Sequence, residues 1–467
     1  MAGAGSPSLL LALPDPCLLA VLQCLAADDQ RSLLSAARSH SRLHQAAVAA
    51  LHSITAHITE QQQMDSVLLY LDKHGQHVDS IQLTGVERGF IKLPHLPQNL
   101  QLSSLQLEHL HVQLEPRNGS HVLLGAATVA ALKQLCLKDC KLRRDGKKQL
   151  AATLSQLPAA LEHLSINHVL ANGMWVAIST EVLQRLQQLT YLELARCSLK
   201  GPDQGQPALQ PLQALTLLQD LRICTESGNI TASMLSGTHR LTRLKVSGYR
   251  EISLQLSVEP QVLASKTQLQ HLQLAVCMVS GGVAGAAQLL SHLQPLQQLT
   301  HLDLAHISWA LQEGAPPQEA APFLSVTASS KLQRLDLHKC RLAPGVWQHI
   351  FPAGRQLPHV RCLDMSWVIQ PNGTPTSPPD FIPVVSCCPC LQSLDMMEVP
   401  HSADQLTALL GLSALHTLRL SADECMGTDG LNGLCQLTGL RKLQVSAPYD
   451  APEEWLLQLT PCDSSSS

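Results

Sequence analysis

Aromatic residues are scarce in this sequence. They make up 3% of the 467 residues, whereas hydrophobic residues as a whole make up 45%. The apolar content is therefore mostly small and aliphatic, as expected of regularly stacked layers. Long apolar runs are absent as well, and since no apolar stretch is long enough to span a bilayer, the sequence predicts no transmembrane helix.

A strong excess of charge of either sign is also absent. The formal net charge is −4, with 32 Lys and Arg against 36 Asp and Glu. This balance gives no reason to expect nucleic acid or a membrane surface as a partner. The first basic residue is Arg31, and the apolar run at 9–13 ends at Pro14, so we expect no secretory signal. A cytoplasmic or nuclear protein, or one found in both places, is the expectation.

What the sequence has in abundance is a leucine pattern, L-x-x-L-x-L-x-x-[C or apolar]-x-L. About fourteen copies follow one another at spacings of 23 to 33 residues. They begin at Leu132, Leu189, Leu269 and Leu332 in their clearest form, and at Val78, Leu107, Leu161, Leu218, Leu241, Leu299, Val360, Leu391, Leu415 and Leu440 in weaker form.

The pattern resembles the longer variety of leucine-rich repeat, which has a helix in each repeat. In L-x-L the two leucines point to one side of a short strand and the residue between them points to the other. One repeat buries too little to stand alone, so neighbours share a core. The resemblance implies an α/β solenoid, a ribonuclease-inhibitor-like horseshoe with a parallel sheet on its concave face and helices outside.

The order of these patterns predicts six segments. The first repeat is expected to need a cap helix, predicted at 58–75, and the last repeat another, predicted at 450–459, because the ends of a repeat array expose its core. The segments are a flexible start at 1–10, a small helical domain at 11–55, a linker with the first cap helix at 56–77, the repeats at 78–448, the second cap helix at 449–461 and a disordered tail at 462–467.

Fifteen cysteines are scattered along the chain. The odd count and the absence of a disulfide framework favour a reducing compartment. Cys140, Cys197, Cys277 and Cys340 share one position in the repeat and are expected to be buried structural thiols. The cluster at 387–390 lacks the second pair of ligands that a zinc knuckle needs, so we expect neither a metal nor a cofactor. Histidines also recur in the pattern and are expected to fill exposed sheet positions: His109, His163, His271 and His301.

The front segment, residues 11–55, does not follow the repeat and predicts three short helices. It resembles an F-box, the helical module that docks onto the Skp-family adaptor of cullin-based ubiquitin ligases. Two features of the family pattern are replaced here: Ala36-Ala37 stands for Val-Cys, and His40 stands for Trp. The resemblance implies adaptor contacts from Leu13, Pro14, Leu18, Leu19, Leu22, Leu25, Leu33, Leu34, His40 and Leu43.

An F-box followed by leucine-rich repeats implies a non-enzymatic substrate-recognition adaptor of an SCF-type E3 ubiquitin ligase. The front segment would hold the Skp-family adaptor, and through it a cullin, while the repeats hold an unidentified target protein. The alternative is a protein-interaction scaffold without a ubiquitin role, whose front helices only cap the solenoid. A third reading, a regulator of a small GTPase, needs a clamping residue that we do not find. Nucleotide-binding, zinc-protease and hydrolase motifs are absent, so we expect no enzyme.

The residue between the second and third leucines is predicted to point outward on the concave sheet. Read in order, this position gives two basic residues and then four aspartates, whose repulsion a basic partner segment would relieve. The alternative is that aspartate is simply tolerated on a solvated face. Two long insertions, at 312–322 and 370–383, are predicted to lie on the rim beside it. The predicted target-binding residues are Arg222, Lys245, Asp303, Arg334, Asp336, Asp364 and Asp395.

Overall fold

The computed structural model shows two compact units, Met1–Leu218 and Gln219–Ser467. It describes residues 13–14, 17–18, 21–22, 46–47, 51–87, 89–94, 96–97, 100–112, 124, 126–142, 146–171, 174–200, 210–225, 228–248, 256–263, 265–275, 278–279, 282–306, 324–340, 342, 349–368, 384, 386–399, 403–421, 434 and 436–446.

Unit 1, Met1–Leu218, is built on a parallel sheet in which each strand pairs in register with the next one along the chain. Alternate residues, such as Leu105 and Leu107, are fully buried, because side chains alternate between the two faces of a strand. The strands are β1 (Ser53–His57), β2 (Ser80–Thr84), β3 (Ser104–Glu108), β4 (Gln134–Lys138), β5 (His163–Asn167) and β6 (Tyr191–Ala195).

Short strands and helices lie between the main strands of unit 1 in chain order. The short parallel strands are Lys92–Leu93, His111–Val112, Lys141–Leu142 and Leu170–Ala171, with Met174–Trp175 antiparallel to the last and Ala177–Ser179 parallel to Ser198–Lys200. The helices are α1 (Gln61–His74), α2 (Ala126–Ala131), α3 (Gly146–Ser155) and α4 (Thr180–Arg185), with 3-10 turns at Gly75–His77 and Gln210–Ala214.

Helix α1 lies within 58–75, where the sequence predicts a helix, but it connects β1 to β2 and does not precede the first strand. It buries Met64 and Leu71 on one face. Lys73 and His74 occupy its last turn, where the helix dipole favours positive charge. At Gly75 a Cβ atom would lie 2.2 Å from Leu100 Cδ2, so any larger residue would have to push the buried Leu100 side chain aside.

Unit 2, Gln219–Ser467, repeats the same arrangement, again with each strand paired in register with the next. Its strands are β7 (Asp220–Thr225), β8 (Arg243–Gly248), β9 (His271–Ala275), β10 (His301–Asp303), β11 (Arg334–Asp336), β12 (Cys362–Asp364), β13 (Ser393–Met396), β14 (Thr417–Ser421) and β15 (Lys442–Ser446). A second small sheet contains Gly228–Ile230, Leu256–Val258 and Met278–Val279, and the helical segments are α5 (Gly282–Ser291), α6 (Ala403–Ala408) and the 3-10 turns Pro260–Leu263 and Leu409–Gly411.

Three details differ from the sequence-based expectation. The sheet begins at Ser53, inside the segment predicted to be a helical domain and ahead of the predicted start at Val78. The copy predicted to begin at Leu107 is placed five residues too late, since Gln106 and not His111 pairs with Gln82. Helices are also fewer than one per repeat among the described residues, and between β8 and β9 the 3-10 turn Pro260–Leu263 stands in place of a helix.

The turns after several main strands contain a residue with a left-handed backbone conformation. Eight residues other than glycine have φ between 50° and 59°, in the left-handed region that is uncommon for such residues. Each stands one to three residues after the end of a main strand, and we call the set the turn row. Its members are His109, Asp139, His168, Arg196, His306, Lys339, Trp367 and Glu398.

Candidate functional site: the open face of unit 2

The open face is the side of the main sheet that carries the residue between each pair of buried leucines. In unit 2 the predicted order of this row is confirmed by the strand register. Along neighbouring strands the row runs Arg222, Lys245, Gln273, Asp303, Asp336, Asp364, Asp395, Arg419 and Gln444. Because neighbouring strands lie about 4.8 Å apart, the four aspartates form an unbroken acidic ladder of Asp303, Asp336, Asp364 and Asp395.

The ladder aspartates also hold the turns that follow their strands. In each case Oδ1 accepts a hydrogen bond from the backbone N–H two residues further on. The distances are 2.9 Å from Ala305, 3.0 Å from His338, 3.0 Å from Ser366 and 3.2 Å from Met397. This is the bond by which aspartate stabilises a local turn. The expectation that these residues are merely tolerated on a solvated strand therefore misses a structural role.

Burial makes negative charge on the ladder aspartates unfavourable. Only 9% of Asp336 and 8% of Asp395 is exposed. Burial, followed by the carboxylates of Asp303 and Asp364, raises the pKa of Asp336 to about 6. Burial likewise raises the pKa of Asp303 and that of Asp395, where Asp364 adds to the effect. A cation placed against the ladder would lower these pKa values.

A hollow of about 350 Å³ opens over the ladder. We call it the acidic hollow. Its cationic group is Arg419, which contacts Asp395 and donates to Gln444 Oε1 at 3.1 Å. Arg334 reaches Asp336 from outside at 3.7 Å. Four carboxylates thus face few cations, with apolar and aromatic surface beside them from Ala275, Ala305, His306, His338, Trp367 and Met397.

A second hollow of about 390 Å³ lies beside it on the same face and has the opposite charge. We call it the basic hollow. Asp220 is nearly buried and accepts two bonds from Arg222, at 3.2 Å and 3.1 Å, with Arg243 at 3.8 Å. Lys245 is exposed and has no ion pair within 4.0 Å among the described residues. The charged residues of its lining are Arg222, Arg243, Lys245 and Arg334 against Asp220 and Asp303.

Two stacked histidines line the basic hollow. The rings of His271 and His301 lie 4.2 Å apart at 16°. Burial lowers the pKa of both, with Arg243 adding to the effect in each and Arg334 adding to it at His301. His271 Nδ1 is buried and has no hydrogen-bond partner among the described residues. A bound anion would both satisfy such a nitrogen and favour its protonation.

The cysteines at the repeat position lie where the pattern predicts. Cys140 Sγ donates to the Leu107 carbonyl at 3.4 Å, and Cys340 Sγ donates to that of Leu304 at 2.9 Å. Burial raises the pKa of Cys140 to about 12. The Cys140 thiol is therefore protonated, and both side chains are buried structural groups. Cys277 lies outside the described residues.

The front segment is described at few of its predicted contact residues. Leu18 and Leu22 are 0% exposed, so the chain itself covers both. Leu13 is half-buried and Pro14 is exposed, whereas Val21, which the sequence did not single out, is 38% exposed. Leu19, Leu25, Leu33, Leu34, His40 and Leu43 lie outside the described residues, as do the two rim insertions and the second cap helix.

Sequence reasoning missed Asp220, Arg243 and the part that His271 and His301 play in the basic hollow. All four stand two residues before the row position of their strand, as Arg334 does. Because residues i and i+2 share one face of a strand, this spacing was a usable signal. The predicted target-binding residues are brought together on one face, with Asp303 lining both hollows.

Comparisons with known proteins bear on the fold alone. No protein-family model matches the chain, and no curated protein matches it. Among solved structures, a leucine-rich repeat protein of Leptospira interrogans is similar at 15% identity and TM-score 0.42, covering 88% of this chain and 82% of that one. The plant peptide hormone receptor RGFR1, in complex with RGF2, is similar at 14% identity and TM-score 0.37, covering 89% and 78%. The strands and their register define a leucine-rich repeat fold in each unit, and likenesses this distant carry nothing on function.

Proposed function

We propose that the chain is a non-enzymatic recognition protein whose open face in unit 2 binds a target protein. The observation that carries the proposal is the division of one strand row into two adjoining hollows of opposite charge. Buried, mutually repelling carboxylates gain most when a partner supplies the missing charges, and so does Lys245, which has no ion pair within the described part of the chain. The turn bonds need only an oxygen acceptor at each ladder position, whereas the charge of the ladder and the basic hollow beside it would serve a partner.

The two hollows define the chemistry of the partner. From Lys245 to Asp336 the row crosses three strand steps, or about 14 Å. An extended peptide spans that distance in about four residues. The partner segment is therefore expected to carry an acidic group for the basic hollow and, about four residues away, Lys or Arg for the acidic hollow.

We further propose that this recognition protein is the substrate-recognition adaptor of an SCF-type ubiquitin ligase. The support is the resemblance of the front segment to an F-box, beginning at Leu13-Pro14, ahead of the repeats. In this role the front segment binds a Skp-family adaptor and, through it, a cullin. The target is held close to a conjugating enzyme bound elsewhere, so the contribution to the reaction is proximity.

One observation favours the alternative, a repeat scaffold whose front segment only caps the sheet. Leu18 and Leu22 are covered by the chain, as apolar cap residues are, so neither is free to touch a partner in this conformation. Val21 lies between them in sequence with apolar surface exposed. An adaptor-binding front segment can use that surface, whereas a cap has no need of it.

The substitution Val21→Asp separates these two roles. In the ligase proposal it abolishes capture of a purified Skp-family adaptor, because a charge enters an apolar contact, while the circular dichroism spectrum stays unchanged. Leu22→Asp is the comparison variant, and it should unfold the front segment whichever role holds. Wild-type chain that fails to bind the adaptor, or V21D chain that binds it normally, would leave the scaffold as the better account.

A further inference from the structure

A second group of polar side chains lies in unit 1. Glu108 ends strand β3, and His109 and Asp139 are the turn-row residues of two successive repeats. One oxygen or nitrogen from each of the three lies within 4.8 Å of the other two. All three side chains are largely covered, with 16% of Glu108, 22% of His109 and 26% of Asp139 exposed.

We propose that Glu108, His109 and Asp139 bind one divalent zinc ion. An imidazole nitrogen and carboxylate oxygens are ligands that Zn²⁺ accepts, and three protein ligands leave a further position for water or for a partner's side chain. The proposal is independent of the function proposed for unit 2, since it uses none of the same residues. It also revises the expectation that His109 fills an exposed sheet position, because His109 lies in the turn and not on the strand.

The backbone holds the three residues in place. His109 and Asp139 have φ of 54° and 50°, and the N–H of each donates across to the neighbouring repeat, at 3.0 Å to the Lys138 carbonyl and 2.9 Å to the Asn167 carbonyl. Each ligand-bearing turn is thereby tied to the next. A site whose ligands are already fixed loses less conformational entropy when the ion binds.

The imidazole of His109 stands between the two carboxylates. Its Nε2 lies 3.5 Å from Glu108 Oε1, and its Nδ1 lies 3.9 Å from Asp139 Oδ2. These separations are longer than a hydrogen bond. They leave the ring free to turn one nitrogen toward an ion that both carboxylates share, with shifts of about 1 Å to reach zinc–ligand distances near 2.0–2.2 Å.

Outer contacts orient both carboxylates. His168, the next residue of the turn row, places Nδ1 against Asp139 Oδ1. Bonds of this kind from an outer residue typically strengthen a metal site. Lys138 acts in the opposite sense, because its ammonium contacts Glu108 Oε1 and would compete with an ion for that oxygen. An ion must displace Lys138, so removal of this lysine should tighten binding.

The opposing effects of neighbouring residues give the proposal its test. Titration calorimetry of the full chain with Zn²⁺ should show one binding event that Asp139→Asn and Glu108→Gln each weaken about 100-fold, while Lys138→Gln strengthens it about tenfold. Asparagine tolerates the left-handed backbone, so His109→Asn should weaken binding without disturbing the turn. The matched control is His306→Asn, the same change at a turn-row residue of unit 2, which should bind as wild type does.

Co²⁺ gives a readout that a merely structural role would not produce. Loaded in place of Zn²⁺, it should show the visible absorption of a low-symmetry nitrogen and oxygen site, lost in D139N and retained in H306N. The proposal fails if the wild-type chain binds no zinc at micromolar concentration. It also fails if D139N and E108Q bind as wild type does, or if K138Q leaves the affinity unchanged. If D139N does not fold, the tighter zinc binding expected of K138Q still tests the proposal.

Discussion

At the residue scale, each ladder aspartate serves both the turn after its strand and the charge of the open face. The turn needs only an oxygen acceptor, as in the bond from the His338 N–H to Asp336 Oδ1. The charge adds repulsion between neighbours, which is why the pKa of Asp336 is raised to about 6. Asparagine keeps the acceptor and removes the charge, so the two roles can be separated.

We therefore expect Asp336→Asn to stabilise the free protein at neutral pH. The folded-state pKa of about 6 lies above the ordinary 3.8, so the native state binds more protons and wild-type stability falls as pH rises from about 4 to 6. Urea unfolding at pH 7.5 should show a gain of about 1–3 kcal/mol for D336N, and the gain should shrink toward pH 4. Asp336→Ala, which also loses the turn bond, should be less stable than D336N throughout. A gain that grows toward pH 4 would contradict this account.

At the element scale, the spacing of leucines predicted strands well wherever one phase alone fitted the pattern. Around Leu107 two phases fit, because Leu102, Leu105 and Leu107 satisfy the leucine positions as well as Leu107, Leu110 and Val112 do. The turn decides between them, since His109 takes the left-handed conformation and Leu110 occupies the buried repeat position. Leucine spacing contains no information about φ, so the slip could not be seen in the sequence.

The first strand was missed for a different reason. In β1 the leucine positions are filled by Leu51, Ile54 and Ala56, and the alanine breaks the pattern. The apolar residues Leu43, Ala47, Ala50 and Ile54 also recur at helical spacing, which suits a helix that continues from the front segment. The segment is a strand, because Ser53–His57 pairs with Ser80–Thr84. Helix α1 connects these two strands. The helix itself was predictable because its apolar positions recur at helical spacing.

Strand β1 should be needed for the stability of unit 1. A chain shortened to begin at residue 78 loses Ile54, Ile58 and helix α1, and exposes the edge of β2, which is a site for aggregation. A chain that begins at residue 51 keeps all of these. We expect the longer chain to stay monomeric by light scattering and the shorter one to aggregate or melt at least several degrees lower. Equal melting temperatures would show that β1 is dispensable.

At the scale of the whole molecule, the repeat class and the order of charges on the open face of unit 2 could be predicted from the sequence. It could not give the two hollows, because their walls include Asp220, Arg243 and the stacked pair of His271 and His301, whose roles depend on contacts across strands. Nor could it give the cluster of Glu108, His109 and Asp139, which depends on successive left-handed turns. The alternation of side chains along a strand tells which residues face the open side of the sheet. The depth of the hollows and the pairing of their side chains depend on packing between strands.

The central claim is that the acidic ladder of unit 2 recognises a partner, and capture from cell extract tests it most directly. We compare the wild-type chain with the fourfold variant Asp303→Asn, Asp336→Asn, Asp364→Asn and Asp395→Asn, which keeps the turn bonds. The control removes four exposed acidic charges from unit 1, through Glu60→Gln, Asp65→Asn, Asp72→Asn and Glu87→Gln. Quantitative mass spectrometry should find a protein with a basic segment held by wild type and control but lost from the ladder variant, while a Skp-family adaptor is retained by all three. The same proteins held equally by all three chains would contradict the claim.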